Sequence, residues 1–127
     1  MRIKIDSLDK LFSKYIRLRA IKTVHGCERC LTGKQDYKGL QCSHFFGRSK
    51  RSTRYDEDNA VGLCFGCHQY LGSHPLEHVE WFKQRLGERF DLLQARAGIP
   101  GKPDRELLTI YLKAKIKELE NNISTKC

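Results

Sequence analysis

Cys27-Glu28-Arg29-Cys30 and Cys64-Phe65-Gly66-Cys67 form two Cys-x-x-Cys pairs. They enclose a segment holding His44 and Asn59, and His68 follows the second pair directly. Pairs spaced this way present four thiolates to one ion, and four thiolates suit a closed tetrahedral zinc site from which water is excluded. The expectation is a structural Zn²⁺ on Cys27, Cys30, Cys64 and Cys67, with the chain folded around it. Chemistry then has to come from the histidines.

The rest of the composition narrows the setting. At 127 residues the chain is expected to be one domain (1–127), large enough for a modest core. Hydrophobic residues at 39% and aromatics at 9% place it among globular rather than disordered chains. A formal net charge of +9 directs so small a chain towards polyanions, of which nucleic acid is the commonest. No apolar run follows Met1-Arg2-Ile3-Lys4-Ile5-Asp6 and no stretch approaches membrane-spanning length. The reading is therefore no signal peptide, no membrane and a cytoplasmic location. In a reducing compartment Cys-x-x-Cys pairs bind metal more often than they form disulfides. Cys42 and Cys127 lie outside the paired pattern and read as free thiols.

Hydrophobic periodicity supplies a coarse map. Ser7 reads as the N-cap of a helix over 7–25, with Leu8, Leu11, Phe12, Tyr15, Ile16 and Leu18 on one side and Lys10, Lys14, Arg17, Arg19 and Lys22 on the other. Residues 26–74 hold the zinc-stapled core. Within it, Tyr37 to Phe46 reads as a small hairpin broken by Gly39, and Val61-Gly62-Leu63 as a brief strand. Between them runs a polar loop containing Arg48, Lys50, Arg51 and Arg54. Pro75 starts a helical segment over 75–98, with His74 as its possible cap and Phe90 to Ala97 as a further helical turn or two ended by Gly98. After Ile99-Pro100-Gly101-Lys102, a last helix over 103–123 carries Leu107, Leu108, Tyr111, Leu112, Ile116, Leu119 and Ile123 at helical spacing. That stripe packs on the domain or on a partner helix.

A His at the end of a hairpin-like strand, an Asn in the following loop and a His straight after the second Cys pair resemble the HNH, or ββα-metal, nuclease motif in its zinc-stapled form. A narrower likeness, to the recombination-endonuclease family of phage lambda NinG (Rap), lies in Cys27-x-x-Cys30, Gln41-Cys42-Ser43-His44-Phe45, Thr53 to Asn59 and Cys64-x-x-Cys67. The resemblance implies an α+β fold: a zinc-stapled ββα-metal (HNH) core with an N-terminal helix and a helical C-terminal extension. It implies a metal-dependent DNA endonuclease acting on branched DNA such as Holliday junctions and D-loops, in the host cytoplasm if the chain is phage-encoded. Two coordinated cuts on a junction would call for a homodimer, and the C-terminal helix is the candidate interface.

Each role also has a physical case. A neutral imidazole near its working pKa can take a proton from water, so His44 is the expected general base. His68 is the expected ligand of a catalytic divalent ion, Mg²⁺ or Mn²⁺, that relieves charge on the phosphate. Asn59 would hold the loop and orient the base, and Arg48, Lys50, Arg51 and Arg54 would clamp DNA phosphates. Many HNH nucleases carry an acidic ligand just before the base, whereas Ser43 stands here. The ion would then lean on His68, waters, phosphate oxygens and Asp56, Asp58 or His74, a set that favours Mn²⁺ or Zn²⁺ over Mg²⁺.

Plainer readings stand beside these. In these, His44 and His68 are each a structural histidine, or His68 replaces a cysteine on zinc, and Asn59 serves only a turn. His25 is a weak alternative zinc ligand, and His74 and His78 could bind metal together, or be a cap and an exposed residue. The competing function is a zinc-stapled DNA-binding module without catalysis. A protein–protein adaptor using the last helix is a third.

Overall fold

The computed structural model describes residues 3–124. Helix α1 spans Ser7–Val24, strand β1 Gln41–His44, strand β2 Ala60–Leu63, and helices α2 to α5 span Phe65–Ser73, Pro75–Leu86, Arg89–Ala97 and Arg105–Ser124. The strands form a two-stranded antiparallel sheet, so the class is α+β. None of the described helices is long and apolar enough to cross a membrane.

The first helix forms where expected, but its cap is Asp6 rather than Ser7. The Asp6 carboxylate accepts from the Asp9 N–H at 2.8 Å, and Asp9 returns the bond to the Asp6 N–H at 2.9 Å. Each bond satisfies a donor that the first turn would otherwise leave open. Leu8, Phe12, Tyr15, Ile16 and Leu18 are buried along one side. Each such aliphatic or phenyl side chain contributes about 2 kcal/mol on burial.

β1 does not close a hairpin within 37–46. Tyr37–Gly39 is instead a single 3₁₀ turn capped by Asp36, and the partner of β1 is β2, across the long loop 45–59. The pairing sets Cys42 opposite Gly62, Ser43 opposite Val61 and His44 opposite Ala60. Successive side chains on a strand point to opposite faces. The two apolar clusters follow that alternation. Cys42 and Ala60 join Phe12, Ile16, Tyr55 and Leu112 on the α1 side, while Val61 and Leu63 join Leu71, Phe82, Phe90 and Leu93 on the side of α2, α3 and α4. The small sheet is thus a partition between two cores.

Gly62 permits α1 to lie this close, because a Cβ there would sit 2.8 Å from the Ala20 Cβ. At the far end of the chain, Leu112 and Ile116 of α5 are buried against α1, with Leu108 and Leu119 partly buried. Leu107 remains 63% exposed, so only part of the apolar repeat is covered. α5 begins at Arg105 rather than Pro103, and the Asp104 carboxylate accepts from the Leu107 N–H at 3.0 Å. The expected 75–98 segment is two helices, α3 and α4, separated at Gly87, whose φ of 59° suits a residue without Cβ. The side chain of Ile123 and the whole of Cys127 lie outside the described residues.

Candidate metal centre and histidine pocket

The sulfurs of Cys27, Cys30, Cys64 and Cys67 all lie within 4.8 Å of one another. Cys30 and Cys64 are 3.8 Å apart. A tetrahedron with Zn–S bonds of about 2.3 Å has edges of roughly 3.8 Å, so the four thiols fit a zinc-sized ion. None of the four is in a disulfide, and neither is Cys42. Local backbone builds each half of the centre. The Cys27 N–H donates to Thr32 O and the Leu31 N–H to Cys27 O, curling the first pair into a knuckle. Cys64 is the N-cap of α2, where its sulfur accepts from the Cys67 N–H. Gly26 lets the knuckle close, since a Cβ there would meet Thr32 O at 2.0 Å.

Glu28, inside the first pair, ties the centre to the rest of the fold. Its carboxylate accepts from the Gly62 N–H at 2.7 Å and from Arg85 of α3 at 2.9 Å. A buried carboxylate is tolerable only with such partners. His25, once a spare zinc candidate, is exposed at the C-cap of α1.

His44 lies on the α1 face of the sheet, with its ring centroid 5.6 Å from that of Phe12. It lines a cavity of about 470 Å³ together with Asp9, Lys10, Ser13, Arg17, Cys42 and Arg48. Asp9, Ser13 and Arg17 recur every fourth residue and so share one face of α1. Two buried polar atoms of this cavity, His44 Nε2 and Arg48 Nη1, have no hydrogen-bond partner. Burial lowers the His44 pKa below its ordinary value of 6.5; the Asp9 carboxylate pulls it back up and the Arg48 charge presses it down. The ring is therefore held as neutral imidazole at neutral pH. Burial also pushes the Cys42 thiol up to about 12, which keeps it protonated and a poor nucleophile.

Asn59 is fully buried. Its amide donates to Phe46 O at 2.9 Å and Thr53 O at 3.0 Å, and its carbonyl accepts from the Phe46 N–H at 2.8 Å. These bonds pin both ends of the loop that carries Arg48, Lys50 and Arg51. The residue holds the loop; its bonds are to backbone, and none is to the His44 ring.

His68 sits in the first turn of α2, in different surroundings from His44. The charge of His68 reaches His78 of α3, whose pKa is lowered first by burial and then by that charge. His68 Nδ1 and His78 Nε2 are both buried without a partner, and the His78 ring packs edge-on to Phe45 and Phe82. His78 is thus neither exposed nor paired with His74, which is exposed and bonds back to Tyr70 O. The strand alternation sends Phe45 to this face and His44 to the other. Among the described residues the cysteine tetrad is the one group of three or more His, Cys, Asp or Glu that converges on a point. At His68 two imidazoles and no carboxylate present themselves, a poor match for a hard ion such as Mg²⁺.

The proposed substitutes for the missing acid are engaged elsewhere. Asp56 accepts from Arg96 at 2.6 Å and Asp58 from Arg89 at 3.0 Å, latching α4 to the loop before β2. The loop cations divide as well. Arg54 is locked in a two-pronged pair with buried Asp9 at 2.6 and 3.0 Å, and Arg48 approaches the same carboxylate at 3.7 Å. Lys50 lies over the Phe46 ring and Arg51 is exposed.

Asp9 is the residue of this site that sequence reasoning missed. Its spacing from Asp6 signals a cap, and nothing local signals that the same carboxylate meets Arg54 from a loop far along the chain. No family model, no curated protein and no solved structure matches this chain.

Proposed function

We propose that the protein is a DNA endonuclease of the HNH type that hydrolyses phosphodiester bonds with His44 as general base. The observation that carries this reading is the His44 cavity, which a neutral imidazole and Arg48 line together with Lys10 and Arg17. Beside it His44 Nε2 has no hydrogen bond, and Arg48 Nη1 has only the Asp9 carboxylate at 3.7 Å. An anion entering between them would satisfy Arg48 directly. A water held on its far side would meet His44 Nε2, the acceptor of a neutral ring whose proton sits on Nδ1. Lys10, Arg17 and Arg48 would offset the charge that builds on the phosphate oxygens as the water attacks. Asn59 would keep Arg48 on its loop at the cavity mouth. The four cysteines hold the structural ion, for which Zn²⁺ suits an all-thiolate set.

The resemblance calls for a catalytic divalent ion as well. The His68–His78 pair offers it nitrogen donors from the other side of the sheet, so no step at His44 is derived through it. That separation favours the second reading, a zinc-stapled DNA-binding module in which the cavity only grips phosphate. Preference for branched DNA, a phage recombination role and a homodimer rest on the sequence resemblance alone.

The decisive experiment incubates the protein with supercoiled plasmid, a four-way junction and its linear arms, with Mg²⁺, Mn²⁺ or neither, beside His44→Ala. The expected result is nicking by the parent and its loss in the variant, with zinc content and DNA binding retained. Absence of cleavage under every condition would overturn the enzyme and leave the non-catalytic module standing.

A further inference from the structure

Three adjoining grooves, of about 450, 240 and 330 Å³, run between the 50–55 loop and the connector from α4 to α5. Arg51 and Lys102 line all three, and no Asp or Glu lines any of them. The other arginines there are already engaged: Arg54 with Asp9, Arg96 with Asp56, and Arg105 with Asp6 at 3.1 Å. Arg51 and Lys102 have no side-chain hydrogen bond or ion pair among the described residues. The nearest acid in sequence to Lys102, Asp104, is turned to the cap of α5. Two segments remote in sequence therefore bring unpaired positive charges to one acid-free trough. The Ser52 hydroxyl holds them in place by donating to Ala97 O at 3.1 Å.

We infer that Arg51 and Lys102 form a second phosphate clamp, separate from the His44 cavity, that holds the backbone of a nucleic acid. The inference rests on the DNA reading above and extends it to the connector. Like charges facing a shared groove repel unless an anion lies between them, and an extended polyanion supplies one at each nucleotide. A strand seated there would continue past Lys50 towards Arg48, since all three cations belong to the one loop that Asn59 pins. The clamp gives the site length, so that affinity depends on more than the phosphate at His44.

The test compares Lys102→Glu with Lys117→Glu, which changes net charge equally but stands exposed on α5. Binding of a short fluorescent duplex is followed by anisotropy across a salt series, with no divalent ion added. Lys102→Glu should weaken binding about tenfold at low salt and flatten the log K against log[salt] slope by roughly one, whereas Lys117→Glu should change affinity by no more than about twofold. Equal effects of the two substitutions would overturn the clamp. A few millimolar inorganic phosphate should leave the duplex bound; displacement of duplex from the parent but not from Lys102→Glu would reassign the groove to a free anion and overturn it too. Binding is read without cleavage, so failed nicking with an intact Lys102 effect removes only the enzyme, and the converse removes only the clamp.

Discussion

The two sides of the small sheet are built on different terms. On the side of α2 to α4, Val61, Leu63, Phe82, Phe90 and Leu93 close a dry core beside four converging thiols. On the α1 side the hydrophobic cluster gives out around His44, and a polar cavity of about 470 Å³ takes its place. The first region gathers its thiols on one point, although His68 Nδ1, His78 Nε2 and Arg85 Nη1 stay buried there without a hydrogen bond. The second also leaves His44 Nε2 and Arg48 Nη1 without a hydrogen bond, but beside a cavity that a ligand can enter. Unsatisfied polar atoms occur on both sides, and an open cavity beside them is what separates site from scaffold.

The sharpest way to break this contrast is to attack the scaffold. Cys64→Ser should abolish zinc retention and lower the melting temperature by roughly 20 °C or more, because metal affinity in such centres is largely folding free energy. A variant that melts like the parent would mean that the thiols are ornamental and the two sides are alike. Next in size, Asn59→Ala should cost about 3 kcal/mol in denaturant unfolding, since three buried backbone groups lose their partners at once. A cost near zero would show that the loop bearing Arg48 is held by other contacts.

The smallest effect concerns the cavity itself. Followed by NMR, His44 should titrate below 6.5, with Asp9, Arg48 and Arg54 as the charges facing it. Its folded pKa lies below its unfolded one, so the unfolded chain takes up the proton first. The stability tied to this ring is complete above pH 6.5 and drains away as pH falls through the lowered value. Nuclease activity should follow the same limb, rising with pH and level by neutrality. Asp9→Asn should move the His44 titration further down, because that carboxylate now raises it. A His44 that titrates at 6.5 and ignores Asp9→Asn would place the ring in open solvent, and one that titrates above 6.5 would mean that the carboxylate outweighs burial.

The unequal legibility of the two regions has a physical cause. Cys-x-x-Cys fixes two ligands within one turn of chain, and a single antiparallel pairing brings the halves together, so spacing was enough to find the centre. The histidines depend on facing. One residue of slip along β1 would exchange the environments of His44 and Phe45, and neither His44 nor His68 announces its side. Helix extents were legible from Leu8, Phe12 and Ile16 and from Leu112 and Ile116, whereas β1 paired with β2 instead of folding on itself across Gly39. Arg54 looked like a free cation because its partner, Asp9, lies in a helix dozens of residues earlier.

The packing of α5 on α1 has a bearing on biosynthesis. The wall of the cavity contributed by Asp9, Ser13 and Arg17 belongs to α1, yet part of the cover on the apolar back of that helix comes from Leu112 and Ile116, far later in the chain. The four cysteines are all made by Cys67, so a metal could be taken up before α5 exists, whereas the chamber around His44 gains this rear support only after α5 has followed.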